Sequence, residues 1–219
     1  MKKLSLIILS AFVSSVVGRA DMISIFNTGV DNSNALLALG STDSHYLLLA
    51  GSPISGAPFA GTNIPGTYIA NGPNSLWISP TNNASDLDPG GVYTYTTTFS
   101  LPANFTSASL SGQWASDNQG ALSLNGGPTI ATTPIMGFTA FSPFTITSGF
   151  MAGLNTLTFA ITNGSATPTA LRVEISGSFS TAVPDTGSSA LLLGGALLAL
   201  GIFRRMFVAS RGHVLNVII

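Results

Sequence analysis

Strict two-residue alternation, broken every few residues by turn formers, confines the middle of this chain to packed sheets. In Tyr93-Thr94-Tyr95-Thr96-Thr97-Thr98-Phe99, aromatic and β-branched residues fill a strand, and Tyr93, Tyr95, Thr97 and Phe99 share one face. Leu157, Phe159 and Ile161 alternate with Thr158, Ala160 and Thr162, and the run stops at Asn163-Gly164. Leu171, Val173 and Ile175 alternate with Arg172, Glu174 and Ser176, which places the arginine and the glutamate together on the polar face. Ala121-Leu122-Ser123-Leu124 runs into Asn125-Gly126, the pair that favours a tight hairpin. Further strands are predicted over residues 22–26, 46–50, 108–113 and 144–147. The 24 glycines and 12 prolines fall between these runs as turns require, and no amphipathic helix interrupts them. The expectation is an all-β fold, an antiparallel jelly-roll-like sandwich.

Cysteine is absent, so disulfides, thiolate metal sites and a cysteine nucleophile are excluded. A core of ordinary size must then hold the fold, and about 160 residues suffice to bury close to ~70 % of the unfolded surface. Charge is scarce and unevenly placed. Between Asp21 and Val183 the one base is Arg172, against seven acids, which leaves that stretch at a net −6. Such a surface has no footprint for nucleic acid, whose binding rests on neutralising phosphates. Nor does it attract anionic lipid.

The termini carry addresses. Lys2 and Lys3 precede an apolar run from Leu4 to Val17 and the small-residue end Gly18-Arg19-Ala20, the pattern of a secretory signal cut after Ala20. At the other end, Val183-Pro184-Asp185-Thr186-Gly187 leads into apolar residues 188–203 and then the basic pair Arg204 and Arg205. At ~1.5 Å per residue the apolar stretch is about 24 Å of helix, slightly less than a hydrocarbon core of ~30 Å. The basic pair would stop on the cytoplasmic side of the inner membrane. The expected division is signal peptide 1–20, sandwich 21–180 with residues 176–182 acting as a short tether, sorting motif 181–187, transmembrane helix 188–205 and cytoplasmic tail 206–219.

The C-terminal pattern resembles the VPDSG variant of the PEP-CTERM sorting tails. Thr186 stands where that pattern more often has serine, and residues 206–219 extend beyond the usual basic end. The resemblance implies an exosortase-like processing enzyme as partner, tethering to the inner membrane before processing, and delivery to the cell surface or extracellular matrix afterwards. The middle of the chain also resembles a domain recurrent in such surface proteins, over Asp43-Ser44-His45-Tyr46, Ser75-Leu76-Trp77-Ile78, Gly112-Gln113-Trp114-Ala115-Ser116-Asp117-Asn118 and Leu124-Asn125-Gly126. This implies a galactose-binding-like sandwich. A fold of that kind does not by itself name a ligand.

Several residues are candidates for chemistry. Trp77 and Trp114 would suit either sugar stacking or the core, and large aromatics favour the core. Asp117-Asn118 is either a turn that bonds its own backbone or a polar ligand contact. Asp86 and Asp88, beside Asn82 and Asn83, offer the hard oxygens that calcium prefers, although calcium needs 6–8 of them, roughly, and an Asp-x-Asp spacing is common in plain loops. Otherwise no cofactor is expected. His45 is expected to be structural, held by Asp43 or by backbone.

Neither G-x-S-x-G nor H-E-x-x-H occurs. Two functions follow. One is a non-catalytic exported protein, either glycan-binding or a structural matrix component. The alternative is a carbohydrate-active hydrolase using two of Asp86, Asp88, Asp117 and Glu174, which would require the pair to stand ~5–10 Å apart in a cleft.

Overall fold

A computed structural model of the protein describes residues 20–182 and 193–205. The sandwich lies within one compact unit, Arg19–Ala182, and the helical residues 193–205 belong to a second unit, considered by itself below. The signal sequence, the Val183–Gly187 motif and residues 206–219 fall outside the described residues, apart from Ala20.

Two antiparallel sheets form the sandwich. The first runs in the order β3 (Phe59–Ala60), β4 (Ile78–Ser79), β11 (Ala170–Thr181), β6 (Phe105–Asp117), β9 (Ser142–Ile146), and β1 (Ala20–Met22) pairs with β11 at its far end. The second runs β2 (Leu47–Leu48), β5 (Gly91–Leu101), β10 (Gly153–Asn163), β7 (Gln119–Leu124), β8 (Thr129–Thr133). The all-β sandwich is therefore what the alternation pointed to. The inward faces are the predicted ones: Tyr93, Tyr95, Phe99, Leu157, Phe159, Ile161, Leu171, Val173 and Ile175 all join one buried cluster. Trp114 reaches across from β6, its ring 5.3 Å from that of Phe159 on the opposite sheet.

The Asn125-Gly126 turn forms as the dipeptide requires. Asn125 and Gly126 take φ of 53° and 69°, and the amide of Gly127 donates to the carbonyl of Leu124 at 2.9 Å. Both residues sit in the left-handed region that a type I′ hairpin demands.

Two expectations change. The segment predicted to be a strand over residues 22–26 leaves the ladder after Met22. It still runs beside β11, where Ile23 N donates to the Gly177 carbonyl at 2.9 Å and Thr28 N to the Val173 carbonyl at 3.1 Å, but side chains take the amides that β11 offers back. The amide of Val173 donates to Thr28 Oγ1 at 2.9 Å, and that of Ile175 donates to Asn27 Oδ1 at 2.7 Å. The tether expected over residues 176–182 is instead sheet, because β11 continues to Thr181, pairing with both β6 and β1. β6 provides a ladder partner for each of its small residues Ser176, Gly177 and Ser178.

A second, smaller cluster sits on the other side of the first sheet. Alternation along β6 sends Leu110 and Trp114 into the main core and Ala115 and Asp117 the opposite way. The segment around Tyr68 and Trp77 folds over this outer face and, with Ala115 and Ala170, closes the second cluster against partly buried Ile64, Ile69, Phe138 and Phe141. This cover determines which part of the sheet remains open.

Candidate functional site

Beside the covered region, the outer face of β6 and β11 leaves an open groove of about 420 Å³. Cross-strand pairing builds its floor: Ser111 lies opposite Ser176, and Gln113 opposite Glu174. Asn27 and Asn74 form one wall, and the ring of Pro143 on β9 lies on the other side of Gln113. The lining mixes hydrogen-bonding side chains with apolar surface from Gly112, Pro143 and Ile175, and Glu174 is its one ionisable residue.

That carboxylate is held firmly. Glu174 Oε1 accepts from Ser75 Oγ at 2.9 Å and from Arg172 Nη2 at 3.4 Å, while Oε2 accepts from Gln113 Nε2 at 2.9 Å. Asn27 is fixed likewise, accepting from Ile175 N and donating through Nδ2 to the Asn74 carbonyl at 2.9 Å.

Arg172 and Glu174, expected together on a polar face, do adjoin each other, but that face is not open at Arg172. The guanidinium is 3 % exposed, lies 4.9 Å from the ring centroid of Phe141, and donates through Nε to Ser75 Oγ at 2.8 Å and through Nη1 to the Ala70 carbonyl. Burial lowers its pKa, and the adjacent Glu174 opposes that effect. Its surroundings make it a staple for the covering segment.

The residues singled out from sequence are scattered, and most are structural. Trp77 and Trp114 are both fully buried, so neither presents a face to a sugar. Trp77 Nε1 donates to the Ile69 carbonyl at 2.8 Å, whereas Trp114 Nε1 has no hydrogen-bond partner among the described residues. Asp117 is buried, accepts from the Tyr68 hydroxyl, and accepts from its neighbour Asn118 Nδ2 at 2.7 Å, which fits the local turn rather than an open contact. Asp86 accepts from Thr81 Oγ1 at 2.8 Å and from Asn83 Nδ2 at 2.6 Å. Asp88 is buried beneath the same loop. Among the described residues no three acidic or histidine side chains gather as a metal would need. His45 stacks on Phe26 with ring centroids 3.7 Å apart, and its amide donates to Asp43 Oδ1 at 2.9 Å. Of the groove residues, Asn27 and Asn74 carry no motif, and Gln113 lies in the Gly112–Asn118 stretch without being singled out there. They meet only through the β6–β11 register and the paths of the segments before β2 and between β3 and β4.

Asp88 is a strained acid. Burial, and then the neighbouring Asp86 charge, raise its pKa from 3.8 to about 6, against a lowering hydrogen bond from the backbone of Thr169. Its Oδ2 has no partner among the described residues. Burial also raises Asp43 and Asp117, against the lowering hydrogen bonds each receives. In each case the folded state takes up its proton at a higher pH than the unfolded chain. Stability from these groups is therefore fully present below the unfolded value, and it is lost as pH rises through the folded one. The sandwich is expected to melt at a higher temperature near pH 5 than near pH 7.5. Asp88→Asn is expected to gain on the order of 2 kcal/mol at pH 7.5 and to flatten that dependence. Thermal melts of both proteins across this pH range check it, and an unchanged slope in the variant would contradict the assignment to Asp88.

Residues 193–205 form a helix whose large apolar side chains, among them Leu193, Leu197, Leu200 and Phe203, are all exposed. Among the described residues no helix is long and apolar enough to cross a membrane. Part of the expected span, residues 188–192, lies outside them.

The chain carries a VPDSG-CTERM motif at residues 182–207. No curated protein matches the chain. Similar solved structures include the family-35 carbohydrate-binding module (CBM35) from Paenibacillus barcinonensis, at 14 % identity over 61 % of this chain and 94 % of that one, TM-score 0.33. The CBM35 from Cellvibrio japonicus Abf62 is also similar, at 14 % identity over 63 % and 89 %, TM-score 0.32. A family-29 carbohydrate-binding module gives 10 % identity over 74 % and 89 %, TM-score 0.33. Likeness of that order carries no statement about the site.

Proposed function

We propose that this is an exported, non-catalytic surface protein. In this reading its tail is cut by an exosortase-like enzyme at the inner membrane, and its sandwich then contacts glycan at the cell surface or in the extracellular matrix. The observation that carries the proposal is the VPDSG-CTERM motif at residues 182–207. Physical chemistry supports it. A helix apolar on every side, as residues 193–203 are, has lipid as its natural surroundings, and Arg204 and Arg205 supply the basic stop.

The non-catalytic reading rests on how the acids are used. A hydrolase needs one carboxyl group poised to give a proton and a second facing the sugar. Glu174 is tied to three side chains, Asp86 to two, and Asp88 and Asp117 are buried. Glycan contact is assigned to the groove, because buried tryptophans remove the stacking platform and leave hydrogen bonding as the means of recognition.

Mass spectrometry of the mature protein tests the sorting step. Cells with an exosortase are expected to yield a product that begins at Asp21 and lacks residues 188–219, and cells without one should keep the tail. A mature protein with an intact C-terminus in both would overturn the proposal.

A further inference from the structure

We infer that the groove on β6 and β11 takes a neutral polysaccharide and rejects acidic ones, an inference that rests on the glycan-binding reading above. The chemistry of the lining comes first. Gln113 Nε2 is committed to Glu174, and the amide oxygen of Gln113 remains beside the groove as an acceptor. Ser111 and Ser176, exposed and directly opposite one another, each offer a hydroxyl that both donates and accepts. The Asn74 side chain adds an amide at the rim. Sugar hydroxyls need this mixture of donors and acceptors. The Pro143 ring beside Gln113 gives a small apolar surface for the C–H face of a pyranose.

Charge then decides the class. Between Asp21 and Val183 the sole base is Arg172, and it is buried with its guanidinium turned to Ser75, Ala70 and Glu174. A uronate or sulfate would enter a groove whose one ionisable side chain is a carboxylate, on a domain of net −6. Among the described side chains of the sandwich no exposed cation would meet it, and like charges at close range act against binding. A neutral chain meets no such barrier.

Affinity electrophoresis tests this on residues 21–182, a stretch whose strand pairings and core lie within a single unit. Gels would contain hydroxyethyl cellulose, galactomannan or laminarin as neutral chains, and alginate or polygalacturonate as acidic ones, with and without calcium. The expected result is retardation by at least one neutral chain and by neither acidic chain. Gln113→Ala, and Ser176→Trp at an exposed strand position, are expected to weaken the neutral interaction tenfold or more while melting within a few degrees of the parent. Retardation by an acidic chain in either condition would overturn the inference but leave glycan binding standing. So would unaltered binding by both variants, which would move the ligand elsewhere on the domain. Failure of every polysaccharide to retard the parent would sink the glycan-binding reading itself, and this inference with it.

Discussion

Arg172→Met is expected to destabilise the sandwich by about 2–3 kcal/mol, because a buried charged donor is taken from its acceptors while Glu174, 20 % exposed, keeps contact with the groove. Methionine fills most of the volume and keeps the contact with Phe141, so the loss is mainly polar. The Ala70 carbonyl loses a charged donor, and Ser75 and Glu174 are left facing each other without a cation. The segment over the outer face of β11 is held at Ala70 by this side chain and at Ser75 by it together with Glu174, so the variant should also be cut by protease between Tyr68 and Trp77 well before the parent. Arg172→Met/Glu174→Met is expected to recover a good part of the loss, because the stranded charge goes with its partner. Urea midpoints for the parent, both single variants and the double variant close the cycle. A single variant within about 1 kcal/mol of the parent would show that the guanidinium is not what pins the segment.

Arg172 also marks where the sequence stops being legible. Its position in strand β11, and the direction of its side chain, follow from the Leu171, Val173 and Ile175 alternation. Alternation says which side a residue faces, but not what covers that side. The covering segment comes from residues 61–77, about a hundred positions earlier, and lies between strands of only two residues, too short to show any period. The groove was hidden for the same reason. Gln113 and Glu174 are 61 residues apart, and only the β6–β11 register makes them neighbours. The long strands β5, β10 and β11 and the Asn125-Gly126 turn were readable because local periodicity and turn chemistry decide them. Residues 176–181 misled because serine and glycine compose both linkers and covered strands, and pairing with β6 decides between the two. The aspartates misled differently. Asp86, Asp88 and Asp117 have the composition of a ligand set, but Asp86 is bonded within its loop, Asp88 is buried and Asp117 is held under Tyr68.

Trp114→Ala is expected to cost about 3–5 kcal/mol, and its comparison with Trp77 separates packing from hydrogen bonding. Both indoles are fully buried, so truncating either one removes a similar area and leaves a similar hole. Their polar atoms differ. Trp77 Nε1 donates to the Ile69 carbonyl, so Trp77→Phe loses ring volume and also strands a buried acceptor. Trp114 Nε1 makes no hydrogen bond among the described residues, so Trp114→Phe loses volume alone and removes a donor that burial penalises. Phenylalanine should therefore be tolerated better at 114 than at 77, by about 1 kcal/mol. The ring at 114 must still span to Phe159, since that contact joins the two sheets at the centre of the core. Denaturant unfolding of the four single variants gives the answer directly. If the order of the two phenylalanine variants were reversed, or if Trp114→Ala unfolded with the parent's midpoint, Trp114 would not be the clasp between the sheets.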